Sequence, residues 1–204
     1  MTILTLYVKV LPLLFKITEG IRMTFQQTYN TIISEIKNSG DRIDFQNMQQ
    51  IIHILASANQ VFCIGAGRSG IILNAFCMRL NQMGIKAYIV GSTNCPPAQQ
   101  DILIAISGSG ETKGVLTIVE EAKNLACTII SISSAHNSTL TTLSDYSLIV
   151  DAPYKLINGN ESMQPMRSLF EQTAFLICET ISFMIKSSLK LDETFMAMRH
   201  ANLE

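Results

Sequence analysis

Apolar residues are spaced in two ways along this chain, and the switch between the two spacings predicts the fold. Phe25, Tyr29, Ile32, Ile33 and Ile36 recur at three- and four-residue steps, an amphipathic helix stopped by Asn38-Ser39-Gly40. Asp44 is read as the N-cap of a second helix carrying Met48, Ile51, Ile52 and Leu55. From there short apolar runs take over: Val61–Ile64, Ala87–Val90, Ile102–Ile106, Thr128–Ser131 and Leu148–Val150. Ile102-Leu103-Ile104-Ala105-Ile106 has neither alternation nor charge, which predicts a strand buried on both faces of a parallel sheet. Helical stretches separate the runs: one to about Met83, closed by Gly84, one over Thr112–Ala126, and a short one capped at Asn137 or Ser138. Strands alternating with helices from 61 to 150 predict an α/β protein with a parallel sheet covered on both faces. Asp151–Gln164 is polar, contains Asn158-Gly159-Asn160 and reads as a loop. Two helices follow, Met166–Ser188 and Asp192–Ala201, the first with a core stripe of Leu169, Thr173, Leu176, Ile177, Thr180 and Met184.

Composition narrows the class. The chain has 204 residues, room for one α/β domain rather than two. With 48% hydrophobic and 15% charged residues it carries more apolar surface than a soluble monomer needs, so a homo-oligomer, dimer or tetramer, is expected. A net charge of −1, with no basic block, gives no footprint for nucleic acid. Five scattered cysteines without a C-x-x-C pair predict buried thiols in the cytoplasm, and three histidines show no metal-ligand spacing. Residues 1–22 are apolar, but Lys9, Lys16 and Pro12 interrupt them, so no membrane span or signal peptide is predicted. They read as an N-terminal extension ahead of a domain over 23–204.

Chemistry concentrates in two turns. Ser107-Gly108-Ser109-Gly110-Glu111-Thr112 lies between a predicted strand and helix, where free backbone N–H groups and a positive helix end face an anion. Ser107, Ser109 and Thr112 add hydroxyl donors, and no lysine or aspartate is spaced for Mg²⁺; a phosphate monoester on a small molecule fits. Gly65-Ala66-Gly67-Arg68-Ser69-Gly70 matches G-x-G-x-x-G, the dinucleotide fingerprint. That reading also needs an acid after the second strand, and Val90-Gly91-Ser92-Thr93-Asn94 has none; NADP held by Arg68 stays a minor alternative. In a sheet of flavodoxin-like order 2-1-3-4-5 the two turns flank one crevice at the carboxyl edge, with Gly67, Arg68 and Ser69 facing Ser107, Gly108, Ser109 and Thr112.

The Gly-Ser-Gly-Glu-Thr turn after a strand resembles the sugar isomerase (SIS) domain of phosphosugar enzymes and regulators. Gln164-Pro165-Met166-Arg167-Ser168-Leu169-Phe170-Glu171-Gln172 and the ending Arg199-His200-Ala201-Asn202-Leu203-Glu204 narrow the resemblance to its 6-phospho-3-hexuloisomerase branch. The resemblance implies a three-layer α/β/α sandwich with a five-stranded parallel sheet. It also implies a cofactor-free isomerisation between 3-hexulose 6-phosphate and fructose 6-phosphate. Arg167, where the family pattern has a small glycine, and Asn94-Cys95-Pro96-Pro97 depart from it at the crevice rim. An arabinose 5-phosphate isomerase and a non-catalytic phosphosugar sensor are the alternatives within the fold. Neither a regulatory module nor a basic helix-turn-helix before the first strand is seen.

Moving a carbonyl from C3 to C2 takes a proton from one carbon and returns one to the other through an enediol, work a single carboxylate can do. Glu171 is the candidate: it falls at a helix start, off the core stripe, with Phe175 and Cys178 one and two turns on, an apolar flank that partly desolvates it. His200 is the second candidate acid/base by resemblance, supplied by its own or a neighbouring subunit. His53 and His136 are read as surface and turn residues.

Overall fold

A computed structural model describes residues 23–153, 162–166 and 168–202. The predicted extension over 1–22, the Asn158-Gly159-Asn160 turn, Arg167, Leu203 and Glu204 lie outside the described residues.

Among the described residues seven helices and five strands follow in the order α1 (Phe25–Gly40), α2 (Met48–Ala56), β1 (Val61–Gly65), α3 (Arg68–Gln82), β2 (Ala87–Ile89), β3 (Ile102–Ile106), α4 (Lys113–Asn124), β4 (Thr128–Ser133), α5 (Thr139–Leu143), β5 (Tyr146–Ile149), α6 (Ser168–Ser188) and α7 (Glu193–Ala197). The strands form one parallel sheet of order β2-β1-β3-β4-β5. That is the predicted 2-1-3-4-5 arrangement in a three-layer α/β/α sandwich.

Alternate residues of each strand feed two separate cores. Cys63, Ile104, Ile106, Ile130, Ile132 and Leu148 point toward α2, α3 and α6. Phe62, Leu103, Ala105 and Ile129 point toward α4 and α5, where Val115, Val119 and Leu140 meet them. β3 is buried at all five positions, as its unbroken apolar run predicts. α1 and α2 pack on α6, which also packs on α3.

Several boundaries and faces differ from the sequence reading. α2 begins at Met48 after Asn47, not at Asp44, whose Oδ1 accepts from the Gln46 N–H at 2.9 Å and shapes the turn before the helix. β5 starts at Tyr146, earlier than predicted, and the Ser131–Ser147 hydroxyl pair at 2.9 Å lets it carry a serine in the ladder. On α6, Leu169, Thr173 and Ile177 are buried as expected, but Leu176 and Thr180 are exposed. The core takes Phe170, Ala174, Cys178, Ile181 and Ile185 instead. This helix is apolar on two sides and long enough to cross a membrane by length and composition; one side is the core, against α1, α2 and α3. The other leaves Phe175, Leu176 and Phe183 exposed, so spacing alone did not say which stripe is inside. α7 ends at Ala197, so His200 lies in the turn beyond it.

Candidate active site

β1 and β3 pair along their whole length, the last partners being Gly65 and Ile106. The turns leaving them therefore emerge side by side at the carboxyl edge of the sheet, one strand spacing (~4.8 Å) apart. Gly67, Arg68 and Ser69 open α3 on one side; Ser107 to Thr112 open α4 on the other. Neither helix start receives a side-chain cap, so backbone N–H donors of both first turns are left for a ligand.

The second turn is held from within. Ser107 and Thr112 share a hydroxyl–hydroxyl hydrogen bond of 2.9 Å, in which one hydrogen is used and the other stays available to an anion. The Gly110 N–H donates to the Ser107 carbonyl, and the Glu111 N–H donates to Ser109 Oγ. Glu111 itself faces away: its carboxylate accepts from the N–H and hydroxyl of Thr139, tying the turn to the start of α5. The glutamate of Gly-Ser-Gly-Glu-Thr is thus a strut.

α6 supplies the third side. Phe170 lies against Gly108, where a Cβ would stand 3.1 Å from Phe170 Cδ1. The next residue, Glu171, forms an ion pair with Arg68 and keeps only 17% of its side chain exposed, against 64% for Arg68. So Arg68, the serine turn and Glu171, three sites assigned from separate parts of the sequence, adjoin one another. Among the described residues three buried polar atoms have no partner: Ser134 Oγ, one residue past β4 with its own N–H on the Gly108 carbonyl, and Gln172 Oε1 and Thr173 Oγ1, which follow Glu171 along α6. None of the three stood out in the sequence, because only the fold reveals a missing partner.

An open groove of about 530 Å³ runs from the Arg68–Glu171 pair between α1, α3 and α6, lined by Ile32, Ile33, Ile36, Ile71 and Phe175. Apart from Arg68, Glu171 and Gln172 its walls are apolar, a poor match for a hydroxyl-rich sugar phosphate. The turns beside it carry the uncapped helix N–H groups and the hydroxyls.

His200 is not brought to this place within the chain. α7 packs at the far end of α3, where a Cβ on Gly84 would meet Phe195 at 3.4 Å and Arg199 at 3.6 Å. Glu171 sits in the first turn of the 21-residue α6, whose other end, which His200 follows in the chain, is ~25 Å away along the axis. His200 is exposed, with Nδ1 2.9 Å from the Ala201 carbonyl. His136 is exposed too, and its carbonyl accepts from Thr141 Oγ1. Among the described residues no three of His, Cys, Asp or Glu are gathered to hold a metal. Burial, then the nearby Glu179 charge, pushes the Cys178 thiol up to about 12, which leaves it protonated and structural.

The SIS domain model matches residues 54–176, which cover β1 to the first turns of α6. The chain belongs to the SIS domain family. It is 36% identical over 176 residues to the 3-hexulose-6-phosphate isomerase of Bacillus subtilis, covering 85% of this chain and 95% of that one. To the enzyme of the same name from Mycobacterium gastri it is 31% identical over 172 residues, 83% of this chain and 86% of the other. A crystal structure of a Methanococcus jannaschii protein, inferred to be a 3-hexulose-6-phosphate isomerase, superposes with a TM-score of 0.70 at 32% identity. That alignment covers 87% of this chain and 99% of that one. The similarity puts the chain among the phosphosugar isomerases of the family.

Proposed function

We propose that the chain interconverts 3-hexulose 6-phosphate and fructose 6-phosphate through an enediol, with Glu171 as general base. The observation that carries this reading is the Arg68–Glu171 pair beside the serine turn. The phosphate sits between the turns, on N–H groups of both helix starts and on the hydroxyls of Ser69, Ser107, Ser109 and Thr112, with the backbone of Gly67 and Gly108 beside it and open space at the Cβ position of Gly67. Arg68 is mobile enough, at 64% exposure, to leave Glu171 for an oxygen of the substrate. The freed carboxylate takes the C2 proton; Arg68 and turn N–H groups stabilise the enediolate; the proton returns to C3 as the carbonyl forms at C2. All five cysteines are free thiols, which suits a cytoplasmic enzyme.

A role for His200 in moving protons between the O2 and O3 hydroxyls needs a neighbouring subunit, given its distance from Glu171 in its own chain. The apolar groove and the exposed Phe25, Ile71 and Phe183 support a homo-oligomer, dimer or tetramer. Residues 23–204 are taken as the working unit, with 1–22 as an extension.

The test is a coupled assay for fructose 6-phosphate formed from 3-hexulose 6-phosphate. Glu171→Gln lowers kcat by about 10²- to 10⁴-fold, the range for loss of a general base, while fructose 6-phosphate still raises the Tm. Turnover equal to wild type would remove Glu171 from the mechanism.

A further inference from the structure

Glu35 lies on α1, outside both turns, yet it is one of the most heavily hydrogen-bonded carboxylates of the described residues. Its Oε1 accepts from the Met163 backbone N–H at 2.7 Å. Its Oε2 accepts from Ser162 Oγ at 2.8 Å and from Gln164 Nε2 at 3.0 Å. All three donors come from one short segment, which Ser162 Oγ further tightens by accepting from the Gln164 N–H. Partial burial works against the charge, but these three bonds outweigh it and hold the carboxyl below its ordinary value.

The segment so gripped is the approach to α6. Pro165 follows, and its carbonyl accepts from both the N–H and the hydroxyl of Ser168, the first residue of the helix. Three residues on stands Glu171. Ile32, one turn before Glu35, and Gln172, directly after Glu171, line the same groove beside the Arg68–Glu171 pair. A second cavity of about 290 Å³, between α1 and Met163, Gln164, Pro165 and Ser168, shares those two residues as its wall. The start of α6 is thus pinned on one flank by Phe170 against Gly108 and on the other by the Glu35 grip.

We infer that Glu35 is a positioning residue: by holding Ser162, Met163 and Gln164 it fixes where α6 begins, and so where the Glu171 carboxylate stands over the bound sugar. The inference rests on the proposed isomerase reading of the site. Without the grip α6 still forms, because its core face is unchanged, but its first turn rocks on Phe170. Misplacement of a base by a fraction of an ångström to an ångström loses turnover far more than it loses ligand, since the phosphate is held by the turns.

The experiment compares wild type, Glu35→Ala and Glu35→Gln by steady-state kinetics with 3-hexulose 6-phosphate and by hydrogen exchange of the full chain. Glu35→Ala is expected to lower kcat by about 10- to 100-fold with KM within about twofold. Its peptides over 162–172 exchange about tenfold faster, while those of β1 and β3 are unchanged. Glu35→Gln keeps an acceptor for Met163, and its amide can donate to Ser162 Oγ and, once the Gln164 amide turns over, to Gln164 Oε1, so it recovers most of kcat. A loss of activity matched by faster exchange throughout the sheet would mean general destabilisation and would overturn the positioning role. So would an active wild type with an equally active Glu35→Ala. A wild type without turnover on 3-hexulose 6-phosphate overturns the isomerase reading instead, and the positioning role falls with it.

Discussion

The two turns at the carboxyl edge look alike in sequence, each small, glycine-rich and placed between a strand and a helix, yet their glycines answer different constraints. In the first turn the pressure is internal. A Cβ on Gly70 would come 2.7 Å from the Gly65 carbonyl oxygen, and one on Gly65 would come 3.0 Å from the Gly70 nitrogen. The strand end and helix start press directly on each other, so the glycines let the chain fold back on itself. In the second turn the pressure comes from other elements: Phe170 of α6 presses on Gly108, and Ser138 at the start of α5 presses on Gly110. The first turn is a compact hinge of one unit; the second is a socket into which two later parts of the chain plug. Hence the dinucleotide-like spacing of the first turn has a structural explanation without a dinucleotide.

The largest expected effect is at Gly110. Its φ is +64°, and a Cβ there would overlap Ser138 Oγ at 2.0 Å and Ser138 Cβ at 2.4 Å. Ser138 cannot swing away freely, because it caps α5 through Thr141. Left-handed strain of about 1–2 kcal/mol and overpacking of about 1–3 kcal/mol combine, so Gly110→Ala loses about 3 kcal/mol. At ~2–4 °C per kcal/mol for a chain of this size, Tm falls on the order of 10 °C. Calorimetry would show it, and a shift under about 2 °C would deny the socket.

Gly70→Ala and Gly108→Ala test the comparison from its two sides. Gly70→Ala pushes backbone against backbone, so stability falls by about 1–3 kcal/mol. Gly108→Ala meets only the edge of the Phe170 ring at 3.1 Å, and a shift of a few tenths of an ångström relieves it. That shift passes to Glu171, the next residue. Gly108→Ala is therefore expected to lower kcat by about tenfold with less loss of Tm than Gly70→Ala. Denaturant melts and the coupled assay, run on both variants, read the two effects; the reverse pattern would merge the two turns into one kind.

How much of this was legible in sequence follows the same divide between local and distant constraints. The strands, the two turns and a parallel sheet covered on both faces are readable because each rests on a run of neighbours: the apolar block Ile102–Ile106, the turn after it, Gly84 after α3; the order 2-1-3-4-5 is expected only by analogy with the flavodoxin-like arrangement. Glu171 and Arg68 stand 103 positions apart in the sequence, and only the fold joins them. Nothing local singles out Glu35 on its amphipathic helix, since its partners lie 127 to 129 residues away. Glu111 sits inside the serine motif, and only the fold shows that it braces Thr139. His200 was legible only by resemblance, and its own chain leaves it at the other end of α6. The buried side of α6 was misread because Leu176 and Phe183 are as apolar as Phe170 and Ile181; hydrophobicity says a face is covered by something, not by what.

The smallest effect concerns Gly114, which stands in the first turn of α4 just past the socket. A Cβ there meets nothing within 4 Å, and its φ is not left-handed. No packing reason for a glycine is present, so the remaining influence is helix propensity, which favours alanine by about 0.5–1 kcal/mol. Gly114→Ala should raise stability by about that amount. The one thing glycine offers at this place is an uncluttered N–H at an uncapped helix start, where the phosphate is proposed to sit. Stability and ligand affinity should then part company if the bound phosphate lies close: the Tm rises while fructose 6-phosphate binds more weakly. If instead both rise or affinity holds, the anion is seated nearer Ser107 and Ser109 than the helix start, and the weight shifts to the hydroxyls.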